Sequence, residues 1–355
     1  MNMYSKFNPE KVEWWWGPLF FVLLVIVFST FGVKSWFIMT LLMDVMTIIF
    51  LVMVSVSNGK KYGLGVVSFV IHQSISSIML YLSYLFCLLG LEYSNFASLL
   101  TMIGLFWKMG LPPFHGWFSS TMMEISWGDA FALTTLMKVP PTVLAGGVIL
   151  ESGWYYVCCG MCLFSMFSSS MASAGQLSLR GFFTYSSMIN SCWLILGSVS
   201  MIEFYIIFFL VYMSSTLSMM LICKKWDVKS IVSLALMSRR DGWLFACSAY
   251  VVAGPPPYAG FFPKFFICYG ALCLDPMLAF IITVLGYFIA SIISLSIYVD
   301  VSNEAICAVV LGGYVAPLTK VARSNKLSMW MVVGCYSINV LVGFVSMLVS
   351  YSCFY

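Results

Sequence analysis

Long apolar runs separated by short polar stretches dominate this chain. Segments such as Leu19 to Phe28 and Met201 to Val211 are apolar at nearly every position, whereas a strand of a membrane barrel alternates apolar and polar residues. The pattern therefore predicts helices. A helix needs about 20 mostly apolar residues to cross a hydrocarbon core of roughly 30 Å. Eleven such spans are expected near residues 15–32, 36–56, 64–91, 96–118, 130–150, 154–173, 181–200, 203–223, 242–270, 276–301 and 327–351. The first lies too far from the terminus, and is too poorly followed by a small-residue cleavage site, to read as a signal peptide. The 14 residues before it mix Lys6 and Lys11 with Glu10 and Glu13, unlike an arginine-rich transit peptide.

Composition strengthens this reading. Of 355 residues, 62% are hydrophobic and 8% charged, and the mean hydropathy is +0.99, far outside the range of soluble domains. The expected fold is an all-α integral membrane protein. A net charge of +4 is compatible with an acidic partner, but the basic residues sort by side rather than clustering. With eleven crossings, thirteen of the seventeen Lys and Arg fall in segments on the N-terminal side, and Lys34 alone falls on the other. That bias puts the N-terminus on the cytoplasm-like face and argues against nucleic acid as a partner.

The remaining three basic residues, Lys108, Lys138 and Lys264, lie inside spans together with Asp44. Each ionisable group at mid-membrane costs on the order of 2.5 to 3.5 kcal/mol on insertion scales, so a purely structural helix avoids them. Burial disfavours a charged ammonium and a nearby carboxylate restores it, which makes pairing and unpairing a protonation switch. Asp44 has no basic residue at i+3 or i+4, and Lys108 is its expected partner. A static pair that only fixes helix packing is the alternative, but three lysines against one acid exceed what such a pair needs. Lys264, which follows Pro263, is the lysine most open to a snorkelling reading.

An internal repeat links two of these lysines. Gly110-Leu111-Pro112-Pro113-Phe114-His115-Gly116-Trp117-Phe118 and Gly254-Pro255-Pro256-Pro257-Tyr258-Ala259-Gly260-Phe261-Phe262 both read G-x-P-P-aromatic-x-G-aromatic-Phe. Paired prolines remove backbone donors and clash with the preceding turn, so each helix must break where other groups satisfy the freed carbonyls. The breaks fall in spans four and nine. An odd displacement inverts the second copy, which predicts inverted five-helix repeats, each with a proline-broken helix, as in transporters that place ion sites at such breaks. The expected organisation is a segment at 1–14, a first half at 15–150, an inverted half at 151–301, and a loop with a final helix at 302–355.

Other chemistry is sparse. There is no G-x-G-x-x-G or Walker-type phosphate loop. Cys159-Gly160-Met161-Cys162 has metal-like spacing but lies in an apolar span with no second pair, and reads as packing. His72 and His115 are isolated, which argues against a metal site, although His115 in the first break is a candidate proton relay.

At these residues the sequence resembles the chain 2 family of mitochondrial NADH:ubiquinone oxidoreductase, antiporter-like membrane subunits of respiratory complex I. Trp107-Lys108-Met109-Gly110-Leu111-Pro112-Pro113-Phe114-His115-Gly116-Trp117 is similar to the family's W-K-x-G-x-x-P-F-H-x-W, and Thr184 to Trp193 to its A-Y-S-S-I-x-x-x-x-W. Gly254 to Lys264 also matches the family's second break, and Gln73 fits the same alignment. The resemblance implies proton transfer through Asp44, Lys108, Lys138 and Lys264, from the matrix side to the opposite face of the mitochondrial inner membrane. It further implies that NADH, FMN, iron-sulfur clusters and ubiquinone belong to partner subunits of complex I, with no cofactor in this chain. Asp44 stands where the family has Glu, which predicts a looser or water-bridged pair with Lys108, and Asp300 stands where a basic residue is expected. A cation/proton antiporter working without NADH oxidation is the alternative function.

Overall fold

A computed structural model describes residues 9–57, 63–89, 94–152, 154–200, 202–256, 258–274 and 278–315, with the single positions 334, 337 and 339. The described residues form thirteen α-helices and no strand, with one isolated antiparallel bridge between Ser178 and Ser230. The chain divides into two compact units, Met1–Trp154 and Tyr155–Tyr355.

In the first unit, α1 (Pro9–Thr30), α2 (Trp36–Ser57) and α3 (Leu64–Leu89) cover the first three expected spans. The fourth is broken as expected into α4 (Ser94–Met109) and α5 (Gly116–Glu124). Gly110 ends α4 with a φ of +66°, a left-handed conformation that only glycine adopts without cost. Its N–H donates to the Trp107 carbonyl and the Leu111 N–H to the Phe106 carbonyl, both at 3.1 Å, which closes the helix end. The Pro112–Pro113 bond is cis.

The fifth span is also broken, which was not expected. It consists of α6 (Trp127–Thr134), a 3-10 turn (Leu136–Lys138) and α7 (Val139–Ser152). Pro140 and Pro141 explain the interruption. Proline is tolerated in the first turn of a helix, but neither residue can donate to the carbonyls of Leu136 and Met137 one turn earlier, so no continuous helix runs through Lys138. The first unit is built by α3 against α4 and α5, with α2 packed on α3, α6 and α7.

The second unit holds α8 (Tyr155–Ala174), α9 (Leu179–Ser200), α10 (Ile202–Trp226), α11 (Arg239–Ala253), α12 (Phe261–Leu274) and α13 (Leu278–Val315). The expected break divides α11 from α12, and Gly254 ends α11 with a φ of +77°. The span expected to stop near 301, with a loop beyond it, instead continues to Val315. No proline interrupts the chain between Leu278 and Pro317. At 1.5 Å per residue α13 is ~57 Å long, well beyond one hydrocarbon thickness. The last expected span, 327–351, and the N-terminal residues before Pro9 lie largely outside the described residues. Six segments among the described residues are long and apolar enough to cross a membrane, the interrupted fifth span at Trp127–Leu150 among them.

Candidate functional site

In the first unit Asp44 and Lys108 meet directly. Lys108 Nζ donates to Asp44 Oδ1 at 2.8 Å, so the shorter acid leaves neither the gap nor the water bridge expected of it. Asp44 projects from the middle of α2, and Lys108 from the last turn of α4, where a cation also suits the negative end of the helix dipole. Tyr81 on α3 donates its hydroxyl to the second carboxylate oxygen at 2.7 Å. The Lys108 side chain is 4% exposed and that of Asp44 29%, so the acid sits at the edge of the unit and the lysine inside it.

The freed carbonyls of the first break find other donors. Gln73 Nε2 donates to the Lys108 carbonyl at 3.1 Å, and Trp117 Nε1 to the Trp107 carbonyl at 3.3 Å. Trp107 and Phe114 stack across the break at 4.4 Å. Lys108 is therefore not needed to cap its own helix, and its ammonium is left for the carboxylate.

Lys138 ends the 3-10 turn of the broken fifth span and is buried. Its Nζ lies 4.6 Å from the centroid of the Phe118 ring, a cation–π contact. A void of about 10 Å³ is lined by both Lys108 and Lys138, with Gln73, Thr47, Phe118 and Pro140 among its walls. That is about the volume one water needs. His115 takes the N-cap position of α5, half-buried, with its carbonyl accepting from Phe118 and Ser119. It is not part of the lining of that void.

The second unit arranges Lys264 differently. Its Nζ donates to the carbonyls of Val252 at 2.9 Å and Ala253 at 3.0 Å, the last residues of α11. These carbonyls have no partner within the helix and lie at the negative end of its dipole. The ammonium is 5.8 Å from the Trp193 ring and 5.9 Å from the Phe208 ring. Lys264 is 7% exposed and points into the break rather than snorkelling outward. Among the described residues no carboxylate pairs with it. A cavity of about 150 Å³, lined by Lys264, Gly254, Pro255, Trp193, Phe261 and Ser291 among others, opens beside it. A methyl group on Gly254 would come within 3.3 Å of the ammonium.

Sequence reasoning missed several residues that the structure brings into play. Tyr81 follows Gln73 and Ser77 at four-residue steps on α3, a polar line along one side of the helix that could have revealed it. Asp129 was left outside the spans yet is 0% exposed, more deeply buried than Asp44 in its ion pair. Asp300 is exposed on α13. Cys159 and Cys162 are buried on α8, in keeping with a packing role.

Broken apolar helices that deliver buried lysines to internal cavities define a class of ion-translocating membrane proteins. Residues 34–290 match the family described as NADH:quinone oxidoreductase/Mrp antiporter, TM, and the chain belongs to that family. It is 26% identical over 249 residues to NADH-ubiquinone oxidoreductase chain 2 of Locusta migratoria, covering 68% of this chain and 70% of that one. Its match to the Anopheles gambiae chain 2 is 25% identical and spans 54% of this chain and 55% of the relative. It is also 26% identical to NADH-quinone oxidoreductase subunit N 2 of Acidobacterium capsulatum, over 63% of this chain and 49% of the relative. A chain in the structure of respiratory complex I from Thermus thermophilus with bound aureothin superposes with a TM-score of 0.72 at 14% identity, covering 99% of this chain and 86% of that one. A chain of the Mrp complex from Dietzia sp. DQ12-45-1b gives 0.71 at 14% identity, covering 94% and 75%.

Proposed function

We propose that this chain is an antiporter-like subunit of respiratory complex I, of the chain 2 type, and that it moves protons across the mitochondrial inner membrane through its buried lysines. The direct Asp44–Lys108 contact at 2.8 Å carries the reading. When Asp44 swings away, Lys108 loses the anion that stabilises its charge and yields its proton toward Lys138, across a void that both lysines line. Lys264 is the station of the second unit, and His115 is an accessory relay near the first break. Protons are taken up on the matrix side, where the N-terminus lies, and released on the opposite face. Electron transfer from NADH to ubiquinone, with its FMN and iron-sulfur clusters, belongs to the partner subunits.

The test is Lys108→Met in the intact complex. Proton pumping coupled to NADH oxidation is expected to fall while the subunit still assembles, and an unchanged proton-to-electron ratio would overturn the proposal. The similarity to NADH-ubiquinone oxidoreductase chain 2 of the locust and the mosquito favours complex I over a free-standing cation/proton antiporter. Native electrophoresis separates these two. Peptides of this chain should appear in the large band that stains for NADH dehydrogenase activity, and their confinement to a small inactive band would transfer the reading to the antiporter.

A further inference from the structure

The mechanism above gives no role to Asp129, although few groups in the first unit are tied down so thoroughly. Its Oδ1 accepts from Trp16 Nε1 on α1 at 3.0 Å. Its Oδ2 accepts from Ser126 Oγ at 2.8 Å and from Ser57 Oγ at the end of α2. Its own N–H points to Ser126 Oγ, the N-cap of α6, at 3.4 Å. A buried carboxylate is costly unless its lone pairs are satisfied. Here three neutral donors and a helix N-terminus satisfy them, and in doing so fasten α1, α2 and α6 together.

The position of this anchor matters because α6 is short. It has 8 residues, Trp127–Thr134, and the next turn ends at Lys138. Where the head of α6 is held decides where Lys138 meets Phe118.

The second unit repeats the device independently. Ser238 caps α11 and its hydroxyl donates to Asp241 Oδ2 at 2.9 Å. An indole from the end of α10, Trp226 Nε1, donates to the same oxygen at 2.7 Å. The far end of α11 supplies the two carbonyls that hold Lys264. Both units thus show a serine N-cap, an aspartate three residues later and an indole from another helix, at the head of a helix that leads to a buried lysine. Among the described residues only the second adds a cation, Lys225 at 2.7 Å.

We propose that Asp129 is a positioning residue, latching α1 and α2 onto the head of α6 and thereby setting Lys138 against Phe118 and the void shared with Lys108. This rests on the reading of Lys138 as a proton station. The rival role, a carboxylate that itself carries protons inward from the exposed Ser57, differs in one respect: a latch needs hydrogen bonds and a carrier needs an ionisable group.

Asp129→Asn separates the two, because the amide keeps an acceptor for the indole and offers hydrogens that the serine hydroxyls can accept. The intact membrane complex is compared with Asp129→Asn, Asp129→Ala and Trp16→Phe, by hydrogen exchange across residues 131 to 139 and by the pH profile of NADH-linked pumping per assembled complex. Asp129→Ala and Trp16→Phe should raise exchange in that segment several-fold and displace the profile, and Asp129→Asn should restore both. If Asp129→Asn loses pumping as fully as Asp129→Ala while exchange stays normal, the carboxylate carries protons and the latch is wrong. Unchanged exchange in both Asp129→Ala and Trp16→Phe also overturns it. Should Asp129→Ala fail to assemble, Trp16→Phe, which removes a single bond, decides alone. Exchange reads the latch whether or not the chain pumps, so failure here is distinct from failure of the proton reading.

Discussion

The two proline-broken helices share a sequence motif but are wired in opposite ways. At the first, Gln73 satisfies the Lys108 carbonyl and Trp117 adds a second donor to the Trp107 carbonyl, so Lys108 is available to a carboxylate at 2.8 Å. At the second, Lys264 itself takes the two carbonyls at the end of α11 and needs no acid. Proline and glycine fix where a helix stops, but the donors supplied by neighbouring helices decide what the nearby lysine does. One station is stabilised by an anion that can move away. The other is stabilised by a helix end that cannot move without refolding the break, and a cavity of about 150 Å³ beside it offers water instead.

The largest expected effect follows from removing the movable anion. Asp44→Asn leaves a 4% exposed ammonium without its carboxylate, and breaking a buried pair from one side costs about 3–5 kcal/mol. Lys108 should respond by giving up its charge, so both the stability of the assembled subunit and its pumping should drop. Adding Lys108→Met should recover stability and not pumping. Stability of Asp44→Asn equal to that of the wild type, measured by thermal dissociation of the complex, would mean that both breaks hold their lysines by backbone alone.

A smaller effect should come from Gln73→Leu, which has no counterpart in the second unit. It strips the donor from the Lys108 carbonyl, and an unsatisfied buried acceptor costs about 1–3 kcal/mol. Gln73 Oε1 is itself buried without a partner among the described residues, and removing it offsets part of that cost. Destabilisation near 1 kcal/mol is therefore expected, again read as thermal dissociation. If Gln73→Leu instead abolishes pumping in a normally stable complex, Lys108 has turned to cap its own helix, as Lys264 does.

Much of this was legible in the sequence, for physical reasons that differ by residue. Apolar runs of membrane-spanning length have few alternatives, and the G-x-P-P segments cannot be helical, so both breaks and the lysines beside them could be placed. The break before α7 was written in Pro140 and Pro141 but looked like the interior of a span, because a proline pair at a helix start and one within a helix read alike until the start is known. Asp129 and Asp241 follow serines at the spacing of an N-cap, yet their burial depends on indoles from Trp16 and Trp226, and no local pattern predicts contacts 113 and 15 residues apart. The opposite wiring of the two lysines was illegible for the same reason, since the donors that decide it lie on other helices.

The smallest effect should come from Asp44→Glu, which restores the side chain that the family resemblance implies at this position. A looser pair was expected from the shorter acid, and on that view glutamate would tighten the contact and raise pumping. The structure argues otherwise, because Asp44 already reaches Lys108 at 2.8 Å while its other oxygen holds Tyr81 at 2.7 Å. An added methylene must fold back to keep both contacts. At a side chain 29% exposed there is room to do so at a cost below the ~1–3 kcal/mol of overpacking a closed core. The ion pair, the stronger of the two contacts, should survive, and Tyr81 should yield. Pumping should then match the wild type, and adding Tyr81→Phe to Asp44→Glu should change little further, whereas Tyr81→Phe alone should weaken the station that Asp44 now forms. Higher pumping by Asp44→Glu would show that the reach of the acid limits the switch, making the first break the weaker of the two stations in this chain.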